Sequence, residues 1–238
     1  MGMVKKSRPK PTKDSIFQRL VNFGVTIDTV VDVGVLKGTP ELLKGFPKAK
    51  HFLFVPLDIY FDQIKINYAS YDYQLFNVAC SDVDGECFLV HRCIDGTGNI
   101  THSHVTTTPV LVGKEGVVEC KLIKQVRLDS MDIPVKGNML LKIDVDGVEL
   151  LVLKGAKELL ARTTVVVIEA SLGELLERAN YLAKLGFQLF DIVDLCYYYS
   201  TLSQVDLVFV RKDVIDMNEE LNPWKSKDFS WREWLPHE

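Results

Sequence analysis

The segment "LLKIDVDGVELLVLKG" (residues 140–155) reads as a buried strand running into a helix. Along the strand Lys142, Asp144 and Asp146 alternate and share one side, while Leu141, Ile143 and Val145 share the other. Asp146 and Glu149 have the spacing of a capping-box variant for the helix. Lys142 and Asp144, roughly 7 Å apart by the ~3.3 Å rise of a strand, form either an ion pair or part of a site. A buried pair carries a desolvation penalty that apolar residues avoid, which favours a working role.

The same alternation of strand and helix extends in both directions. Upstream, Ser15 is a candidate cap for a first helix, "IFQRLVNFG", ending near Gly24. "DTVVDVG" (28–34) reads as a buried strand stopped by glycine, and Thr39-Pro40 as a helix start. "KHFLFVPLD" (50–58) is a second strand, followed by the helical "IYFDQIKINYAS"; "YQLFNVACSD" (73–82) is a third strand. Residues 85–124 break the rhythm: "GECFLVHR" and "GVVECKLIKQVRL" read as a hairpin inserted around "CIDGTGNITHSHVTTTP". A polar stretch of that length with no element of its own reads as a functional loop or lid.

Beyond residue 155 come the strand "TTVVVIEA" and the helix "SLGELLERANYLAKLG". Ser171 and Glu174 have capping-box spacing there, and Gly186 sits where a C-terminal cap belongs. "FQLFDIVDL" and "VDLVFVRK" are joined too closely for a crossover helix and should pair antiparallel. The fold class is α/β in three layers, with a mostly parallel sheet that closes on an antiparallel hairpin. One domain covers about residues 15–215, between a flexible basic tail (1–14) and an aromatic C-terminal tail (216–238).

Strands buried on both faces should be almost continuously apolar. Here each turns polar towards its C-terminal end: Asp32 on the first, Asp58 after the second, Ser81 and Asp82 on the third, Asp144 and Asp146 on the fourth, Glu169 on the fifth. Open α/β sheets bind ligands at that end, so these residues point to one site on the rim of the core. The turn "DVGVLKG" (32–38) places Gly34 and Gly38 where a backbone must approach a ligand closely. It matches neither the dinucleotide nor the phosphate-loop glycine pattern.

Composition narrows the function. A net charge of -4 gives no electrostatic reason to expect nucleic acid, and "KKSRPKPTK" (5–13) reads as a solvated tail. No apolar run approaches the ~20 residues of a membrane span, and no signal-peptide core is present. The five cysteines are odd in number without a CxxC, against both a disulfide framework and a cysteine zinc site; the expected compartment is the cytoplasm. A metal site from Asp144, Asp146 and Glu169 lacks a nearby histidine and is not expected.

Taken together, "VVDVGVLKG", "FLFVPLD", "NVACSDVDGE", "VRLDSM", "LLKIDVDGVELLVLKGAKELL" and "VVVIEAS", in that order over about residues 28–210, resemble the FkbM family of S-adenosylmethionine-dependent methyltransferases. The resemblance implies a class I, Rossmann-like methyltransferase fold with a seven-stranded sheet. It also implies an O-methyltransferase acting on a hydroxyl of a sugar, glycan or other small natural product. By resemblance Asp32, Gly34 and Gly38 line the methionine end of the cofactor and Ser81 and Asp82 the adenine. Lys142, Asp144 and Asp146 lie by the transferring methyl and its acceptor. Asp144 is then the acid nearest the reacting centre, with Lys142 setting its charge or orienting the acceptor oxygen. His102 and His104 are rival bases, because histidine titrates in the useful range, and Glu169 is a candidate acceptor contact.

The sequence departs from that family at the second strand's end. Where the family has F-E-P, with the glutamate on the ribose hydroxyls, this chain has "FVP" and Val55. Either Asp58 substitutes, or cofactor binding is weakened or lost. Leu36 and Lys37 also alter the first turn. Two other readings stay open: a scaffold or partner subunit that has lost the cofactor, and a nicotinamide oxidoreductase, against which the missing GxGxxG counts. "NPWKSKDFSWREWLPHE" (222–238) carries three tryptophans, expected to pack on the domain, cover the acceptor site or join two subunits as a homodimer.

Overall fold

A computed structural model describes residues 10–222 of the chain except 94, 98, 99 and 101. The aromatic tail from residue 223 and most of the basic tail therefore lie outside the described residues. In chain order the elements are α1 (Lys13–Asn22), β1 (Thr29–Val33), α2 (Pro40–Gly45), β2 (Lys50–Phe54), α3 (Phe61–Asn67), β3 (Tyr73–Phe76), β4 (Ala79–Cys80), β5 (Gly85–Arg92), β6 (His102–Thr106), β7 (Val117–Val126), β8 (Met139–Ile143), α4 (Glu149–Lys154), α5 (Lys157–Leu160), β9 (Val165–Ser171), α6 (Leu175–Lys184), β10 (Phe187–Tyr198), β11 (Thr201–Arg211) and α7 (Lys212–Met217). Seven strands make a mainly parallel sheet in the order β10-β11-β9-β8-β1-β2-β3, with β10 and β11 antiparallel. Among the described residues no helix is long and apolar enough to cross a membrane.

The chain divides into two compact units, residues 27–169 and residues 1–26 with 170–238. The first holds the site. Its parallel strands are apolar for a physical reason: β1, β8 and most of β2 are buried along their whole length, so alternation has no solvent face to serve. A second, four-stranded sheet, β4-β7-β5-β6, belongs to the same unit. β5 pairs antiparallel with β7, as its sequence suggests, and also with β6. The polar loop thus contains a strand, which the sequence hid because "HSHVT" has no apolar alternation.

Three further expectations are corrected. The stretch 73–82 is two strands: it leaves the main sheet after Phe76, and Ala79–Cys80 joins β7 instead. The helix after β8 breaks at Gly155, where a Cβ would lie 2.0 Å from the Ser81 carbonyl oxygen, so the close chain passing there requires glycine. Ser171 closes β9 and its hydroxyl donates to Glu174 at 2.6 Å, leaving α6 without a side-chain cap.

In the other unit Thr12, rather than Ser15, caps α1 by accepting the Ser15 N–H. Lys13 is bound rather than part of a free tail, paired with Asp194 at 2.9 Å and with Asp206. Burial opposes its charge, but the two carboxylates outweigh that and hold the ammonium above the ordinary lysine range.

Candidate active site

The site begins with a register. Parallel pairing of β1 with β8 sets Asp32 beside Lys142. The Lys142 ammonium lies 3.3 Å from Asp32 Oδ1 and 3.1 Å from Asp144 Oδ2, and the Thr39 hydroxyl donates to Asp32 Oδ2 at 2.7 Å. Asp32 Oδ1 makes no hydrogen bond, so it meets Lys142 as a charge contact only. Asp32 is fully buried and Lys142 is 4% exposed, so both are within the core and not at its rim; Asp144, at 35%, is the member that reaches the cleft.

Two turns shape the floor. Gly34 has φ +90, and a Cβ there would sit 1.7 Å from the Asp144 carbonyl oxygen. Only glycine permits the end of β1 to lie against the end of β8 in this way. The ladder continues past the strands, with the Asp144 N–H donating to Val33 O and the Gly34 N–H to Phe54 O, both at 3.0 Å. Asp146 does not cap the helix. Glu149, wholly buried, accepts the Val145 and Gly147 N–H groups at 3.3 and 3.2 Å and so braces the loop that presents Asp144 and Asp146.

These elements border a cleft of about 390 Å³. Val33, Gly34 and Leu36 line it after β1; Phe54, Val55, Pro56, Leu57 and Tyr60 after β2; Val78, Ala79 and Cys80 before and along β4. Asp144, Val145, Asp146 and Val148 come from the loop after β8, Leu89 and residues 102–105 from the second sheet, and Ile100 from the segment between β5 and β6. A shallower recess beside it is lined by Arg92, His102, Ser103, His104 and Asp146.

Of the residues singled out from sequence, Gly34, Val55, His102, His104, Asp144 and Asp146 meet at the cleft. Asp32 and Lys142 stand behind it. Gly38, with φ +129, packs against Asn67 and Tyr68. Asp58 is turned to Lys121, 2.9 Å away, and does not line the cleft. Ser81 and Asp82 do not line it either: the chain has already left the main sheet, and Ala79 and Cys80 take that wall. Glu169 is half-buried in β9, away from the lining. Tyr60, Ser103 and Arg92 escaped the sequence reading, since only the fold of the second sheet and of the loop after β2 places them.

Protonation at the mouth is divided. Desolvation and the neighbouring Asp144 charge push the Asp146 carboxyl up, with His102 and His104 opposing. Desolvation and Arg92 hold the His104 ring below the usual imidazole range, with Asp146 opposing. His104 is therefore neutral at neutral pH and able to take a proton.

Open α/β sheets take their ligands in the crevice beyond the carboxyl ends of the strands, which is where this cleft lies. The family model for the methyltransferase FkbM domain matches residues 32–189, and the chain belongs to that family; it is a methyltransferase of the S-adenosylmethionine-dependent type. No curated protein matches it. Among solved structures it is similar to a rRNA methylase from Streptococcus thermophilus (13% identity, 88% of this chain and 99% of that one, TM-score 0.45). It is also similar to precorrin-6y C5,15-methyltransferase from Geobacter metallireducens (13%, 82% and 86%, 0.43) and to magnesium protoporphyrin IX methyltransferase from Synechocystis (11%, 84% and 77%, 0.44).

The residues present fit such a cofactor. The cleft has the size of a small-molecule site, the Gly34 turn lines it, and Asp144 and Asp146 supply negative charge for a sulfonium. The wall after β2 is apolar.

Proposed function

We propose that the chain is an O-methyltransferase that uses S-adenosylmethionine to methylate a hydroxyl of a sugar, glycan or other small natural product. The observation that carries this reading is the meeting of Asp144, Asp146 and a neutral His104 at the open side of the cleft. When bound, the cofactor supplies an electrophilic methyl on a positively charged sulfur. Lys142, enclosed between Asp32 and Asp144, does not reach an acceptor; it holds the Asp144 carboxylate in place towards the positive charge. A hydroxyl acceptor must lose its proton as its oxygen bonds the methyl. A ring nitrogen of His104 takes that proton, and Asp146 stabilises the imidazolium that results. The recess with Arg92, His102 and Ser103 receives the polar body of the acceptor.

Val55 favours one other reading, a cofactor-free scaffold. A thermal-shift titration with S-adenosylhomocysteine, with NAD as control, separates the two. Binding to the folded state at 100 times Kd adds about 2.7 kcal/mol and raises Tm. A flat response at millimolar ligand would give the scaffold reading the lead. Methylation of a glycan or polyol panel, lost in His104→Gln and Asp144→Asn, would establish the acceptor class; methylation only of amines or carbon acids would refute it.

A further inference from the structure

We infer that the cleft holds the nucleoside end of its cofactor without engaging the ribose hydroxyls, so that ribose and deoxyribose forms bind alike. The inference rests on the cofactor reading above and specifies one subsite of it. In doubly wound folds an acid near the end of β2, about 20 residues past the glycine turn, takes a ribose hydroxyl. In this chain that place belongs to Val55, which is 1% exposed and packs in an apolar cluster with Val35, Leu57, Tyr68 and Leu89. Its backbone groups are already used: the N–H donates to Phe76 O and the carbonyl accepts from Asn77 Nδ2, both at 3.1 Å.

Among the described residues no other carboxylate at this wall substitutes for the missing acid. Phe54, Pro56 and Leu57 are apolar, as are Val78 and Ala79 on the next flank. Burial pushes the Cys80 thiol up, away from its charged form. Asp58, the next carboxylate along, is held by Lys121 off the lining. The acids that do line the cleft, Asp144 and Asp146, come from the loop after β8, and β1 lies between β8 and β2 in the sheet. What the loop after β2 does bring in is Tyr60, with the Lys37 ammonium 5.5 Å from its ring centre. An aromatic ring and an apolar wall hold a base and sugar by stacking and buried area, which are indifferent to a hydroxyl.

Calorimetric titration of the full chain with S-adenosylhomocysteine and its 2′-deoxy and 3′-deoxy analogues tests this. A carboxylate on the ribose makes a deoxy analogue bind about tenfold or more weakly, the worth of a hydrogen bond to a charged group. The expected result is three dissociation constants within about threefold of one another, and a parallel weakening of all three in Tyr60→Ala. A tenfold loss for either deoxy form overturns the inference, as does a Tyr60→Ala effect confined to one sugar form. Failure of all three ligands to bind overturns the cofactor reading itself, and the subsite with it. Because Val55→Glu puts a carboxylate into a buried wall, the wild-type comparison, which needs no variant, decides.

Discussion

Replacing Lys142 by methionine leaves two carboxylates facing a hole of apolar matter. In the native chain the ammonium is 3.3 Å from Asp32, which is fully buried, and 3.1 Å from Asp144, which is about one-third exposed. At an effective dielectric of about 20, the Asp32 contact alone is about 5 kcal/mol of attraction before desolvation is subtracted. The Asp144 contact adds less, because solvent screens it. Removing one partner from a buried pair costs about 3–5 kcal/mol, since the remaining charge is uncompensated. With a urea slope of about 2 kcal/mol/M, the unfolding midpoint of Lys142→Met should fall by about 2 M. The double variant Asp32→Asn/Lys142→Met removes the stranded charge while Thr39 keeps a partner, and should recover most of that loss. Urea titrations followed by circular dichroism on the wild type, both singles and the double measure the coupling. A Lys142→Met cost below about 1 kcal/mol, or a double variant no more stable than Lys142→Met, would refute the idea that these groups form one buried electrostatic unit.

Other expectations follow from the same geometry. Gly34→Ala should cost more than about 4 kcal/mol or abolish soluble expression, because its Cβ has no room beside the Asp144 carbonyl; near-normal Tm would contradict the turn as described. If His104 is the base, its lowered pKa keeps it unprotonated below the usual 6.5. Its activity is then full at neutral pH and lost as pH falls through that depressed value; a kcat/KM profile shows this limb, and His104→Gln should erase it. Asp58→Ala breaks an exposed pair with Lys121 and should change stability by no more than about 1 kcal/mol and cofactor affinity not at all. A large rise in Kd in that variant would return Asp58 to the ribose. Glu149→Gln should weaken the brace on the Val145 and Gly147 N–H groups and lower kcat more than Tm, read by activity and melting on one sample.

The apolar runs and their glycine and proline punctuation state the order of strands and helices in this chain, because burial of both sheet faces leaves the sequence no other pattern. Of the polar strand ends, Asp144 and Asp146 line the cleft, and Gly34 declares its own turn. Which polar residues cooperate is a different matter. Asp32 and Lys142 are 110 positions apart, and only the β1–β8 register makes them neighbours and takes them into the core. Asp146 and Glu149 fit a capping box by spacing, yet helix α4 starts two residues later, so Glu149 turns back to brace the loop and leaves Asp146 to the cleft. Ser81 and Asp82 are lost to the site because the chain changes sheets after Phe76, a step no local propensity records. Local patterns carry what each residue needs from its own neighbours along the chain. The cleft is made by residues that meet only through pairing at long range, and for those the tertiary structure had to decide.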